Sequence, residues 1–173
     1  SRPKCDTERR CPMALTATIY NLDIELADID RGVYESFALR IARQPSETAE
    51  YMLTRVLAYC LEYAEGIALT EGVAAGDEPA VVVRDLTGRI RHWLEMGQPD
   101  DKRLLRASGR ADKVSVYAYA ASTPIWWNGI ANKISRASNI EVWQIDAAQS
   151  QALAALAQRT MQLQVTVQDG SAW

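Results

Sequence analysis

Apolar and polar residues alternate as soon as the chain becomes periodic. Thr16, Thr18, Tyr20, Leu22, Ile24 and Leu26 share one parity, and Leu15, Ala17 and Ile19 share the other, as in a strand buried on both faces. Asp28-Ile29-Asp30-Arg31-Gly32 reads as a turn. Residues 33–43 alternate again, with Val33, Phe37, Leu39 and Ile41 on one side, so a long hairpin is predicted; a helix over 34–42 is the alternative drawing. The period then changes. Pro45-Ser46-Glu47 opens a helix with Ser46 as N-cap, Met52, Val56, Tyr59, Cys60 and Tyr63 form its apolar stripe, and Gly66 ends it. Strands follow at 67–70, 81–83 and 89–96, a helix from Pro99 to about 111, and a strand at 113–119. Beyond it come a helix capped at Ser122 or Thr123, a strand at 140–145, a helix capped by Asp146 that runs to about 159, and a strand at 163–167.

The stretch 77–102 concentrates the chemistry. Asp85-Leu86-Thr87-Gly88 joins two strands in a hairpin, and Gln98-Pro99-Asp100-Asp101 opens the next helix directly after Gly97. Carboxylates therefore gather at the open end of the hairpin. With a three-residue loop, Asp85 pairs with Arg89, Glu95 faces Pro79, and Asp77 is the diagonal neighbour of Glu95. With a two-residue loop Glu95 faces Ala80 and Glu78 takes the diagonal place. Asp85 is out of reach in either register, since Arg89 lies roughly 20 Å along the strand from Glu95.

Composition narrows the setting more than the function. The chain has 173 residues, 48% of them hydrophobic, enough for one domain with a sizeable core. A net charge of −3 and a pI near 5.2 give no global attraction for nucleic acid, so any such binding requires a local patch. Residues 1–12 lack periodicity and read as a disordered extension ahead of a single domain over 13–173. Cys5 and Cys11 do not make a zinc site by themselves, and Cys60 reads as a buried hydrophobe. No run approaches the roughly 20 apolar residues of a membrane span and no secretion signal is evident, so a reduced, cytoplasmic setting and a monomer are expected.

The order helix, strand, strand, strand, helix, strand, with acids at the ends of adjacent strands, fits the PD-(D/E)xK nuclease core. There oxygen ligands hold Mg²⁺ or Mn²⁺, which clamps a phosphodiester and activates water. The expected ligands are Asp77, Glu95 and Glu50, with Glu78 as the alternative set by register, and Glu47 joins the catalytic group. The lysine of this pattern normally stands two residues after the strand acid, where this chain has Gly97. Lys102, on the first turns of the next helix, is the expected substitute, and that helix N-terminus can itself attract phosphate. Ser46, Arg55, Arg103, Trp127 and Lys133 are the expected nucleic-acid contacts, Trp127 by stacking a base, since adjacent helix positions diverge by about 100° and one of Trp126 and Trp127 can be core while the other is exposed. Arg55 also lies near the helical face of Glu47 and is able to pair with it. His92 reads as a satisfied strand residue. No Walker loop, dinucleotide fingerprint or Ser-His-Asp set is legible.

The segments MALTATIY, ARQPSETAEYMLTRVLAY, DEP, WLEMGQPDDKR, the IWW helix with Asn128 and Lys133, and RTMQLQVTVQDG together resemble the YaeQ family of bacterial proteins over residues 13–173. The resemblance implies an α+β (α/β) single domain, a mixed sheet around a variant αβββαβ nuclease-like core with an N-terminal hairpin. It carries Ser46, Glu47 and Glu50, Asp77 or Glu78, and Glu95 over as active-site positions. Two further readings stand beside a nuclease: a catalytically silent nucleic-acid-binding or transcription-associated module, and a protein-interaction domain that meets its partner through Trp126 and Trp127.

Overall fold

The computed structural model describes residues 16–71 and 76–173. In chain order these form β1 (Thr18–Asp28), β2 (Val33–Arg43), α1 (Ala49–Leu61), β3 (Ile67–Leu69), β4 (Val81–Arg84), β5 (Ile90–Met96) and α2 (Asp101–Arg110). There follow β6 (Ala111–Ala118), α3 (Thr123–Ile134), β7 (Ile140–Gln144), α4 (Ala147–Ala154), β8 (Thr160–Gln168) and β9 (Ser171–Ala172). The predicted elements are present in the predicted order, and the short β9 is added. The disordered extension expected over 1–12 lies outside the described residues.

The strands divide into two sheets rather than the single mixed sheet expected. The first has the order β2-β1-β8-β9 and the second β3-β4-β5-β6-β7. The hairpin pairs along its full length, from Thr18↔Arg43 to Asp28↔Val33, around Gly32 at φ 67°. On its other edge β1 runs parallel to β8. β1 is buried on one face only: Tyr20, Leu22, Ile24 and Leu26 point to the core while Asn21, Asp23 and Glu25 are exposed. The even parity was the correct core face. The apolar residues of the other parity, Ala17 and Ile19, cluster at the strand's start and do not extend along it.

α1 lies between the sheets, which explains why its burial runs almost all the way round. Met52, Leu53, Val56 and Cys60 pack on the first sheet with Leu22, Ile24 and Met161, whereas Ala58 and Tyr59 pack on the second with Val81 and Leu94. Full burial of such a side chain stabilises by about 1.5–3 kcal/mol. The N-cap is Thr48, whose side chain accepts from Tyr51 N at 3.0 Å, and not Ser46, which is exposed. Glu47 therefore precedes the helix in a turn closed by Glu47 N donating to Gln44 O at 2.9 Å.

The crossovers β5-α2-β6 and β6-α3-β7 join parallel strands and put α2 and α3 on the far face of the second sheet, where Leu104 and Ile130 pack with Trp93, Val114 and Val116. The continuous burial of Val114 to Ala118 in β6 reflects helices on both sides. α4 is shorter than predicted and joins the first core through Leu153. No helix of the described residues is long and apolar enough to cross a membrane.

Candidate functional site

Both candidate registers of the β4–β5 hairpin occur, one after the other. At the turn Asp85 N donates to Arg89 O at 3.0 Å, and Arg84 pairs with Ile90. The next pair is Val83↔His92, so Arg91 is an extra residue, a β-bulge that resets everything beyond it. Val81 then faces Leu94, and Ala80 N donates to Leu94 O at 2.9 Å. The bulge thus gives the open end the register in which Glu78, not Asp77, neighbours Glu95.

A 250 Å³ cleft opens there, lined by Tyr51, Glu78, Ala80, Glu95, Met96 and Arg103 among others. Glu95 is 5% exposed and held through one oxygen: Trp93 Nε1 at 2.7 Å and Arg103 Nε at 2.9 Å donate to Oε1, and an Arg103 terminal nitrogen forms an ion pair with it at 2.8 Å. Burial pushes the Glu95 carboxyl up, and the hydrogen bonds from Arg103 and Trp93 pull it back only in part. Arg103 also donates to the carbonyls of Gly76 and Glu78, both at 2.6 Å, and so ties α2 to the loop ahead of β4. Burial pushes the Tyr51 hydroxyl up to about 12, with Glu95 and Glu47 adding to the rise and Arg55 opposing it, so it remains a protonated donor at the cleft wall.

Glu47 and Arg55 form a buried pair on the α1 side and do not line the cleft. Their closest approach is 3.8 Å, Glu47 Oε1 has no hydrogen-bond partner, and burial raises the Glu47 carboxyl. Arg55 uses its other donors on Ala80 O, at 2.8 Å, and on Thr70 O. Of the two roles open to Arg55, pairing with Glu47 is the one seen.

The remaining expected residues fall elsewhere. Asp77 sits in a neighbouring groove with its carboxylate 3.4 Å from Arg106. Glu50 accepts from Ser150 Oγ at 2.6 Å and so fastens α1 to α4. Lys102 is exposed and does not line the cleft; Arg103 holds the place expected of it. Its neighbours gave the signal, because buried Leu104 and Ala107 put position 103 beside the packed face of α2 and position 102 on the opposite side. Gly97 has φ 86°, so the position of the missing lysine is where the chain leaves β5 in a conformation suited to glycine. The α2 N-terminus is already occupied, since the Asp100 carboxylate accepts from Arg103 N at 2.7 Å. Trp126 donates to Pro99 O at 2.9 Å, while Trp127 is 39% exposed and Lys133 is exposed, both on α3.

The fold also aligns a group not legible in sequence. His92 Nε2 lies 2.7 Å from Ser115 Oγ and its Nδ1 lies 3.7 Å from Glu62 Oε2, while Tyr117 donates to Glu62 Oε1 at 2.6 Å. Ser115 is 0% exposed, so this line of residues bonds β5 to β6 and offers no nucleophile to a substrate.

Comparison with known proteins gives a consistent result. The family model described as YaeQ protein matches residues 13–173. The YaeQ proteins of Salmonella typhi and Escherichia coli K12, both called uncharacterized, are each 40% identical to the chain, over 162 and 163 residues, covering 93% of it and 90% of their own length. The crystal structure of YaeQ protein from Xanthomonas axonopodis pv. citri superposes with a TM-score of 0.87 at 36% identity, covering 91% of this chain and 89% of that one. The structure from Pseudomonas syringae has the same TM-score and identity, covering 90% and 87%.

Proposed function

The chain belongs to the YaeQ family, and from that premise we propose that it is a variant PD-(D/E)xK protein acting on nucleic acid with a divalent ion. The observation that carries this reading is Glu95, a buried carboxylate at the end of a central strand, opening on a cleft that Glu78 shares. A buried acid needs a use or a partner, and among the described residues the hydrogen bonds and the ion pair of Glu95 all fall on Oε1. Two carboxylates in a cleft fit Mg²⁺ or Mn²⁺, which are held by one or two such groups together with substrate oxygens. When bound, such an ion supplies Lewis-acid polarisation of a phosphoryl oxygen and a more acidic water. The chain's own residues supply the rest. Arg103 presents a fixed guanidinium to a phosphate, and Tyr51 donates a hydrogen bond from a hydroxyl that stays protonated. Asp77 and Glu50, bonded elsewhere, are not part of this set.

A silent nucleic-acid-binding module is the second reading, and one observation favours it. Arg103 competes with any cation for Glu95, and among the described residues no group of three or more His, Cys, Asp or Glu is placed to hold a metal.

Calorimetric titration with Mn²⁺, run beside incubation with labelled single- and double-stranded oligonucleotides, separates the two. For the enzyme, Mn²⁺ heat and strand cleavage are expected in the wild type, and both should fall at least about 100-fold in Glu95→Gln and substantially in Glu78→Gln. Oligonucleotide binding with no Mn²⁺ heat leaves the silent module. Neither signal removes both readings.

A further inference from the structure

α2 carries more positive charge than the cleft uses. Counting about 100° per residue, Arg103, Arg106 and Arg110 fall within about 60° of one another and form a single row along the helix. Beside the cleft lies a 320 Å³ groove lined by Asp77, Trp93, Arg103, Arg106, Gly109 and Arg110. Arg103 is a wall of both, so the groove continues the cleft along α2. Arg110 lies over the Trp93 ring, 5.0 Å from its centroid, and donates to Asp77 O at 3.3 Å. The same indole donates to Glu95, so Arg110, Trp93, Glu95 and Arg103 form one connected set. Arg106 is 64% exposed, and its partner Asp77, at 3.4 Å, is 73% exposed. An ion pair this exposed is weak and is readily exchanged for a stronger anion. Gly109 leaves the groove open, for a Cβ there would meet nothing within 4 Å.

We propose that the Arg106–Arg110 groove binds the phosphodiester backbone of a nucleic acid whose adjoining phosphate is taken by Arg103 in the cleft, with Asp77 as the anion it displaces. This rests on the nucleic-acid part of the proposed function and does not need the metal. It explains how a chain of net charge −3 can take a polyanion: Arg106 and Arg110 face one exposed carboxylate along the groove, and Arg103, paired with Glu95, stands at its end. Trp93 is 2% exposed, so it orients Arg110 rather than stacking a base, and the contact reads backbone and not sequence.

Anisotropy of a labelled oligothymidylate about 12 nucleotides long, in EDTA over a salt series, tests this. Arg106→Ala and Arg110→Ala should each weaken binding several-fold and lower the salt slope by about 0.7. Gly109→Glu places a carboxylate in the groove without a steric clash and should weaken binding at least about 10-fold with an unchanged melting temperature. Asp77→Asn should tighten binding, because it frees Arg106 and removes the competing carboxylate. The proposal is overturned if the arginine variants bind as the wild type does, if Asp77→Asn weakens binding, or if the wild type does not bind. It is overturned equally if polyglutamate of matched charge competes as well as the oligonucleotide, which would assign the groove to acidic protein segments. Because EDTA removes divalent ions, loss of the metal reading leaves this result intact, and a protein that binds Mn²⁺ but fails here loses only the groove.

Discussion

Gly66 occupies a site that admits no side chain. Its φ is 86°, and a Cβ there would lie 2.0 Å from the carbonyl oxygen of Arg84, whose amide in turn donates to Gly66 O at 3.1 Å. Gly66→Ala should therefore cost about 3 kcal/mol or more, read as a lowered urea midpoint, because backbone and not a flexible side chain must move. Gly32→Ala is the control: φ is 67° but nothing lies within 4 Å, so only about 1–2 kcal/mol of backbone strain is expected. From sequence Gly66 was expected to end the helix, but α1 stops at Leu61 with Glu62 as its C-cap, and Gly66 instead meets the backbone of Arg84 in β4. The same distinction separates Lys102 from Arg103. Glu95 at the end of its strand was readable from spacing, whereas the cation that reaches it depends on the phase of α2, set by the burial of Leu104 and Ala107.

Among elements, the β5–β6 pair has an internal fastening that responds to acid. Burial depresses His92, with Glu62 and Glu141 opposing that shift and Lys113 adding to it. A histidine whose folded pKa is depressed contributes stability that is present above its unfolded value and lost as pH falls below about 6.5. His92→Gln cannot gain the proton, so the wild type's stability advantage over it, from urea unfolding, should shrink between pH 7 and 5. Glu47 and Glu95 act in the opposite direction. Their raised carboxyls give stability that is complete below the unfolded value and lost as pH rises through the folded one. Comparing the variant with the wild type at each pH cancels their effect. An advantage that stays constant across this range would remove His92 as the acid-sensitive group. Element order was well marked by period and punctuation, but register was not. The turn chemistry of 85–88 fits a three-residue loop, and only the bulge at Arg91, which has no local signature, returns Glu78 to the side of Glu95.

For the whole molecule, one helix serves as core to both sheets. Met52 and Leu53 face one and Ala58 and Tyr59 the other, so α1 covers the core face of the first sheet and the near face of the second, whose far face α2 and α3 cover. Thermal unfolding should accordingly be a single transition. Trp93, Trp126, Trp127 and Trp143 report the second sheet's half by fluorescence, with Trp173 beside β8 adding a signal from the first, and far-UV circular dichroism weighs in the 11-residue strands of the first. Coincident curves are expected, and two separated midpoints would show that the sheets unfold independently. The division into two sheets was the part of the fold least readable in advance. Alternation locates a strand and its faces, but which strands become neighbours depends on the return of 160–168 to β1, a pairing that no local pattern encodes.

That return has a consequence for how the protein is made. β1 aligns with β8 from Asn21↔Thr160 to Asp28↔Val167, and the turn after β8 is tied to Asp30 by Asp169 N and Gly170 N at 2.8 and 3.0 Å. A chain emerging from the ribosome completes α1 long before it can supply the third strand of the sheet beneath it. Met161 and Val167, which seal that core, follow every strand of the second sheet in the chain. Until they emerge the nascent protein carries an unsealed apolar layer and an open β1 edge, the kind of surface that chaperones shield and that makes high-contact-order chains slow to mature.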